Sequence, residues 1–256
     1  MPRKRSHADP LSRRAIVLSC EHAGNAVPRA YRHLFAANRS VLTTHRGYDI
    51  GIVQVAWQMA AILGVPLLAC RTSRLLIEPN RSLHHRELFS EFSRDLPAAD
   101  KTRLIEYIWR PHRDAVTESV VRGIRRHGRV LHLALHSFTP VLEGRTRTAD
   151  IGLLYDPKRL AETQFALALQ QSLQETTGLR IRRNYPYRGA ADGLTTALRR
   201  AFGPRNYVGL EIELNQDMLL PPRTRSRQLA EALCDAMRPA AARLYRKGRG
   251  AILAGI

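Results

Sequence analysis

Short, densely apolar runs alternate along this chain with longer segments whose apolar residues recur three and four positions apart. The runs at 15–19, 65–70, 129–135, 151–155, 179–183 and 207–214 have the length of strands and are bounded by Gly, Thr, Pro or charged residues. Residues 50–63, 101–126, 157–176 and 226–246 have helical spacing, and Pro111 predicts an interruption in the second of these. This βαβα rhythm predicts one α/β domain, with helices covering a largely parallel or mixed sheet. Three long stretches, 72–98, 137–150 and 184–193, follow neither period. Loops of that length in a compact domain tend to carry function.

Two of the apolar runs end on chemistry. The run Leu131-His132-Leu133-Ala134-Leu135 delivers His136 to Ser137-Phe138-Thr139-Pro140, and the run at 15–19 leads into Cys20-Glu21-His22-Ala23-Gly24-Asn25. Ligands of open α/β sheets bind at the carboxyl ends of strands, so a histidine at each of two strand ends suggests a metal site. His132 shares a strand face with His136, but strand rise separates the two by about 13 Å. One ion cannot take both, and the strand-end position favours His136. For a third ligand Asp49 is preferred to Glu21, although Asp49 also stands where an N-cap would precede a helix beginning near Ile50. The glutamate of an HxxE pattern is missing, since Asn25 occupies its place.

In the run at 207–214, Glu211 and Glu213 alternate onto one face, roughly 6.6 Å apart. Carboxylates there suit ion pairs with arginine, or a general base beside a metal-activated water. Arg74, Arg81, Arg145 and Arg147 lie in polar loops and could hold a substrate carboxylate bidentately. Cys20 and Ser137 lack the surroundings of a nucleophile, and neither a Walker A loop nor a GxGxxG turn is present.

Composition narrows the partners. With 256 residues and 44% apolar content a proper core can form, while 41 basic against 22 acidic residues leave a net charge of +19. The basic residues are almost all arginine, spread along the chain, and aromatics make up only 6%. That pattern argues against a nucleic-acid stripe with stacking residues and for a small anionic substrate. Three cysteines without a CxxC fit a reducing cytoplasm. No apolar span would cross a membrane, and the basic segment 1–13 is expected to be a disordered tail before a single domain at 14–256.

A series of short motifs then resembles one known family. Ser19-Cys20-Glu21-His22-Ala23-Gly24-Asn25-Ala26-Val27-Pro28, Tyr48-Asp49-Ile50-Gly51, Ser73-Arg74-Leu75-Leu76-Ile77-Glu78-Pro79-Asn80-Arg81 and His136-Ser137-Phe138-Thr139-Pro140 come in the order found in N-formylglutamate amidohydrolases. Arg147, Ile151-Gly152-Leu153-Leu154, Asn184-Tyr185-Pro186-Tyr187 and Glu213-Leu214-Asn215-Gln216-Asp217 continue the likeness to about residue 220. The resemblance implies a three-layer α/β/α sandwich with a central mixed, mostly parallel sheet, related to zinc carboxypeptidases and aspartoacylases. It implies a zinc-dependent hydrolase of an N-formyl or other N-acyl amino acid such as N-formyl-L-glutamate. Carried over by position, His22, Asp49 and His136 would hold one zinc or other divalent ion, and Glu213, preferred to Glu211, would be the general base. Arg74, Asn80, Arg81 and Arg147 would bind substrate. The chain departs from the family pattern at Glu78, where many relatives have Asp, at Thr148-Ala149 in place of Pro-Trp, and at Asn215 in place of Arg. These departures are expected in substrate-binding loops. The alternatives are a zinc peptidase or a deacylase of different acyl specificity, and an arginine-rich nucleic-acid-binding protein on an inactive hydrolase fold.

Overall fold

A computed structural model describes residues 16–219 and 223–249, so the tail expected at 1–13 lies outside the described residues. Along the chain run β1 (Ile16–Cys20), α1 (Ile52–Leu63), β2 (Leu67–Ala69), α2 (Ala98–Leu104), α3 (Arg110–His127), β3 (Val130–Phe138), β4 (Val141–Leu142), β5 (Arg145–Thr146), β6 (Ile151–Leu154), α4 (Leu160–Thr177), β7 (Ile181–Arg183), α5 (Leu194–Ala201), β8 (Tyr207–Asn215) and α6 (Arg223–Arg249). Six strands form one sheet in the order β2-β1-β3-β8-β6-β7. The first four are parallel; β6 runs antiparallel to β8, and β7 is parallel to β6. The sheet is therefore mixed and mostly parallel.

Strand alternation sorts the core into two layers. Ile16, Leu18, Leu131, Leu133, Leu210 and Ile212 point to one side and pack with α1, α4 and α6. Val17, Val130 and Tyr207 point to the other, where Val116 and Val120 of α3 meet Leu194 and Leu198 of α5. Burial on both faces explains why the strands read as almost continuous apolar runs. A third cluster, built on Phe35, Leu75, Leu76, Ile77 and Leu104, ties the 3-10 turns at 29–43 to the long loop after β2. Among the described residues no helix is long and apolar enough to cross a membrane.

Three local expectations change. Pro111 does not interrupt its helix: α2 passes into α3 through a π-turn, Ile105–Trp109, in which the Arg110 N–H reaches the Ile105 carbonyl. A proline clashes with the carbonyl four residues back, and a widened turn relieves that clash. β3 extends to Phe138 because β8 pairs with it along its whole length, so His136 sits inside the strand and opposite Glu213. Helix α5 has no expected counterpart. Its first N–H, from Leu194, is capped by Asn80 Oδ1 at 2.7 Å, a partner 114 residues away that local pattern cannot supply.

Candidate metal centre

The carboxyl ends of β1, β3 and β8 bring the strand-borne groups together, and the turn before α1 adds the last of them. Asp49 is not a helix cap. The N-cap is Gly51, at φ 80°, where a Cβ would come 2.5 Å from Leu219 Cβ. The Asp49 carboxylate instead turns into the interior. Its Oδ2 lies 3.3 Å from His22 Nδ1 and 3.0 Å from His136 Nδ1, and the two Nδ1 atoms are 3.2 Å apart. The Ser137 N–H donates to the same Oδ2 at 3.1 Å and fixes the carboxylate in place. Three buried donor atoms thus form a nearly equilateral triangle. A tetrahedral zinc with bonds of about 2.0–2.1 Å spaces its ligands by roughly 3.3 Å.

The far side of each imidazole is held by a carboxylate. His22 Nε2 is 2.5 Å from Glu78 Oε1, and His136 Nε2 is 2.9 Å from Glu21 Oε2. A proton kept on Nε2 by these partners leaves each Nδ1 lone pair facing the triangle, the usual brace of a metal-bound histidine. Arg74 joins the set, with Nη2 2.6 Å from Glu78 Oε2 and Nη1 3.5 Å from Asp49 Oδ1. Glu78, expected among the substrate loops, is therefore a buried support behind His22. Asn215 likewise serves the fold: its amide donates to the Ala149 carbonyl, and its oxygen accepts the Asp217 N–H.

Electrostatics give the donor set a direction. Burial opposes a charged His136, but the hydrogen bond to Asp49 and the ion pair with Glu21 outweigh it and raise the imidazole well above its ordinary value. His22 is raised as well: burial and the Arg74 charge oppose this, and Glu78 and Asp49 prevail. Burial would push Asp49 up, yet His22 and His136 hold it well below the usual carboxylate range. An excess of buried carboxylate thus draws protons onto two imidazoles whose lone pairs converge. A divalent cation would replace both protons and match that charge. The residues present fit such an ion.

Glu213 stands beside this group, on the strand next to His136. Its Oε2 is buried without a hydrogen-bond partner. Burial, reinforced by Asp49 and Glu211, raises its carboxyl to about 7 against the pull of His136. Glu211, on the same face, is taken up by the Thr195 hydroxyl of α5. The antiparallel partner of Glu213 on β6 is Gly152, where a Cβ would lie 2.0 Å from the Tyr185 carbonyl oxygen and 3.3 Å from Glu213 Cβ, so the absent side chain chiefly admits the Tyr185 backbone.

The remaining expected residues divide. Arg74, His45, Arg46, Phe138 and Tyr187 line a cleft of about 250 Å³ that reaches Asp49. Arg147 stacks on the Phe138 and Tyr187 rings and donates to the Tyr187 hydroxyl at 3.2 Å. Asn80 and Arg81 instead tie loops together, Asn80 by capping α5 and Arg81 by donating to the Asp192 carbonyl at 2.6 Å. Arg145 lies exposed on the β4–β5 hairpin. His132 stays with Ser19 Oγ at 2.8 Å and Tyr207 OH at 2.7 Å, lowered to about 4 by burial. The Ser137 hydroxyl donates to the Ile50 carbonyl, and burial raises the Cys20 thiol well above its ordinary value, so neither is poised as a nucleophile. Two buried residues behind these supports escaped sequence reasoning: His112, 3.4 Å from Glu21, and Arg113, bonded to the Pro79 carbonyl at 3.1 Å.

Comparison with known proteins supplies an independent line. The chain is similar to the gene product Atu2144 from Agrobacterium tumefaciens, with 27% identity over 93% of this chain and 94% of that one, at a TM-score of 0.79. It shares its fold with the N-formylglutamate amidohydrolase from Ralstonia eutropha JMP134, at 23% identity, coverage of 93% and 95%, and a TM-score of 0.65. No curated protein registers as a match. The model of the N-formylglutamate amidohydrolase family matches residues 14–220. A match over that much of its length means that this chain belongs to the N-formylglutamate amidohydrolase family.

Proposed function

We propose that this chain is a zinc-dependent amidohydrolase that cleaves the amide of a small anionic N-acyl amino acid such as N-formyl-L-glutamate. The observation that carries the proposal is the triangle of His22 Nδ1, Asp49 Oδ2 and His136 Nδ1 with the unpartnered Glu213 Oε2 beside it. Three protein donors and one open position are the usual make-up of a catalytic zinc site. When bound, the ion supplies Lewis acidity, lowering the pKa of a water and polarising the scissile carbonyl. Glu213 accepts the proton of the attacking water and hands it to the departing amine nitrogen. A carboxyl raised to about 7 is a base strong enough for the first transfer and an acid strong enough for the second.

In this reading Arg74 orients Asp49 and Glu78 and lines the cleft with Arg46, and Arg147, stacked on the Tyr187 ring at its wall, joins Arg46 in meeting the substrate carboxylates. Glu211 backs Glu213 electrostatically. Asn80 and Arg81 act on substrate through the loop they fix. Buried free thiols at Cys20, Cys70 and Cys234 suit a reducing cytoplasm. The test is metal analysis of the purified chain beside hydrolysis of a panel of N-formyl, N-acetyl and N-succinyl amino acids and short peptides. One zinc per chain and preference for an N-formyl dianion are expected. His136→Ala should lose the zinc; Glu213→Gln should keep it and lose about 10²- to 10⁴-fold in rate. A wild-type chain with no affinity for divalent metal, or salt-sensitive DNA retention with no hydrolysis, sinks the reading.

A further inference from the structure

Both histidine supports trace back to one turn of one helix. His136 is held by Glu21, and the other oxygen of Glu21 lies 3.4 Å from His112 Nε2. His22 is held by Glu78, whose Oε1 also accepts the Asn80 N–H at 3.0 Å. The turn after Glu78 is gripped by Arg113, which donates Nη1 to the Pro79 carbonyl at 3.1 Å and reaches those of Asn80 and Arg81. The Arg113 guanidinium lies 4.6 Å over the Trp109 ring, and the Trp109 indole N–H donates to the Arg81 carbonyl at 2.9 Å.

His112 and Arg113 are consecutive, and both are buried. Adjacent residues on a regular helix point about 100° apart. Polar side chains at two successive buried positions cost desolvation unless each has partners. Here the partners are one carboxylate and one set of loop carbonyls, each a single step from a different imidazole.

We infer that His112 and Arg113 are positioning residues of the metal centre, His112 acting through Glu21 on His136 and Arg113 through the Glu78 turn on His22. The inference rests on the proposed metal site and adds a second layer of supports to it. Outer partners of metal-bound histidines set ring orientation and donor strength, and losing one typically weakens metal binding about 10- to 100-fold.

The test uses the full chain and reads metal binding, not turnover. Zinc affinity is measured by competition with a chromophoric chelator, and the cobalt(II)-loaded chain is examined by visible absorption. His112→Ala and Arg113→Ala should each weaken zinc binding about 10- to 100-fold and shift the cobalt bands. His112→Gln, whose amide can still donate to Glu21, should recover most of the affinity, whereas His112→Leu, of similar size, should not. That pair decides the matter even if His112→Ala fails to fold. Variants that melt earlier but keep wild-type affinity and cobalt bands would overturn the inference alone. A wild-type chain that binds neither metal removes the metal site, and the inference with it.

Discussion

Two clusters of buried charge sit in this molecule, and they are built on opposite plans. At the first, Glu162 and Arg199 pair across α4 and α5 with Nε 3.0 Å from the carboxylate. Every polar end there is used: Arg199 also donates to the Gly189 and Gly209 carbonyls, and Glu162 accepts the N–H groups of Asp156 and Gly209. At the second, lone pairs of two imidazoles converge on a carboxylate and Glu213 Oε2 has no partner. The first cluster is complete as protein; the second leaves buried groups unpaired, as the proposed cation and reacting proton would require. Satisfied burial marks a fastening, and frustrated burial marks a place where something else is meant to bind.

The contrast can be broken in either half. Glu162→Ala should have the largest effect on stability, about 3–5 kcal/mol, because it strands the Arg199 charge. Denaturant unfolding measures it, and a loss under 1 kcal/mol would mean that the pair is no fastening. Next, zinc at a thousandfold excess over its dissociation constant should stabilise the wild type by about 4 kcal/mol and His136→Ala hardly at all. Equal shifts in thermal midpoint for the two would place the ion elsewhere.

Glu213→Gln should act in the unexpected direction. Its carboxyl is raised from near 4.5 to about 7 by burial, so the folded chain holds that proton more tightly than the unfolded one. The stabilisation this gives is full below about 4.5 and is lost as pH rises through about 7. With chelator present at pH 8, the glutamine variant should therefore be more stable than wild type, by on the order of 2–3 kcal/mol, and the two should converge near pH 5. A less stable variant at pH 8 contradicts that picture. The smallest effect is expected from Asn80→Ala, about 1 kcal/mol from the lost cap on α5, with amide exchange quickening first at Leu194.

Much of this was legible in the chain. His22 and His136 announced themselves at the ends of apolar runs, and alternation placed Glu211 and Glu213 on one face. Asp49 was ambiguous because a carboxylate before a helix serves equally as cap or ligand, and only the left-handed Gly51 separates the two. The supports were not legible. Glu78 meets His22 across 56 residues and His112 meets Glu21 across 91, distances over which local period carries no information. Pro111 misled because a proline in a helical pattern signals a break in regular geometry, and here the geometry was π.

The nine-residue register between β3 and β8 places His136 opposite Glu213. Neighbouring strands stand about 4.8 Å apart whatever their side chains. A slip of one position would turn one of the two side chains to the opposite face, so their spacing has no intermediate values. The loops that line the cleft can therefore be lengthened, shortened or rewritten without changing the interval between Glu213 and His136. Variation of the cleft and constancy of that interval are kept in separate parts of the molecule, the first in loops and the second in the pitch of a sheet.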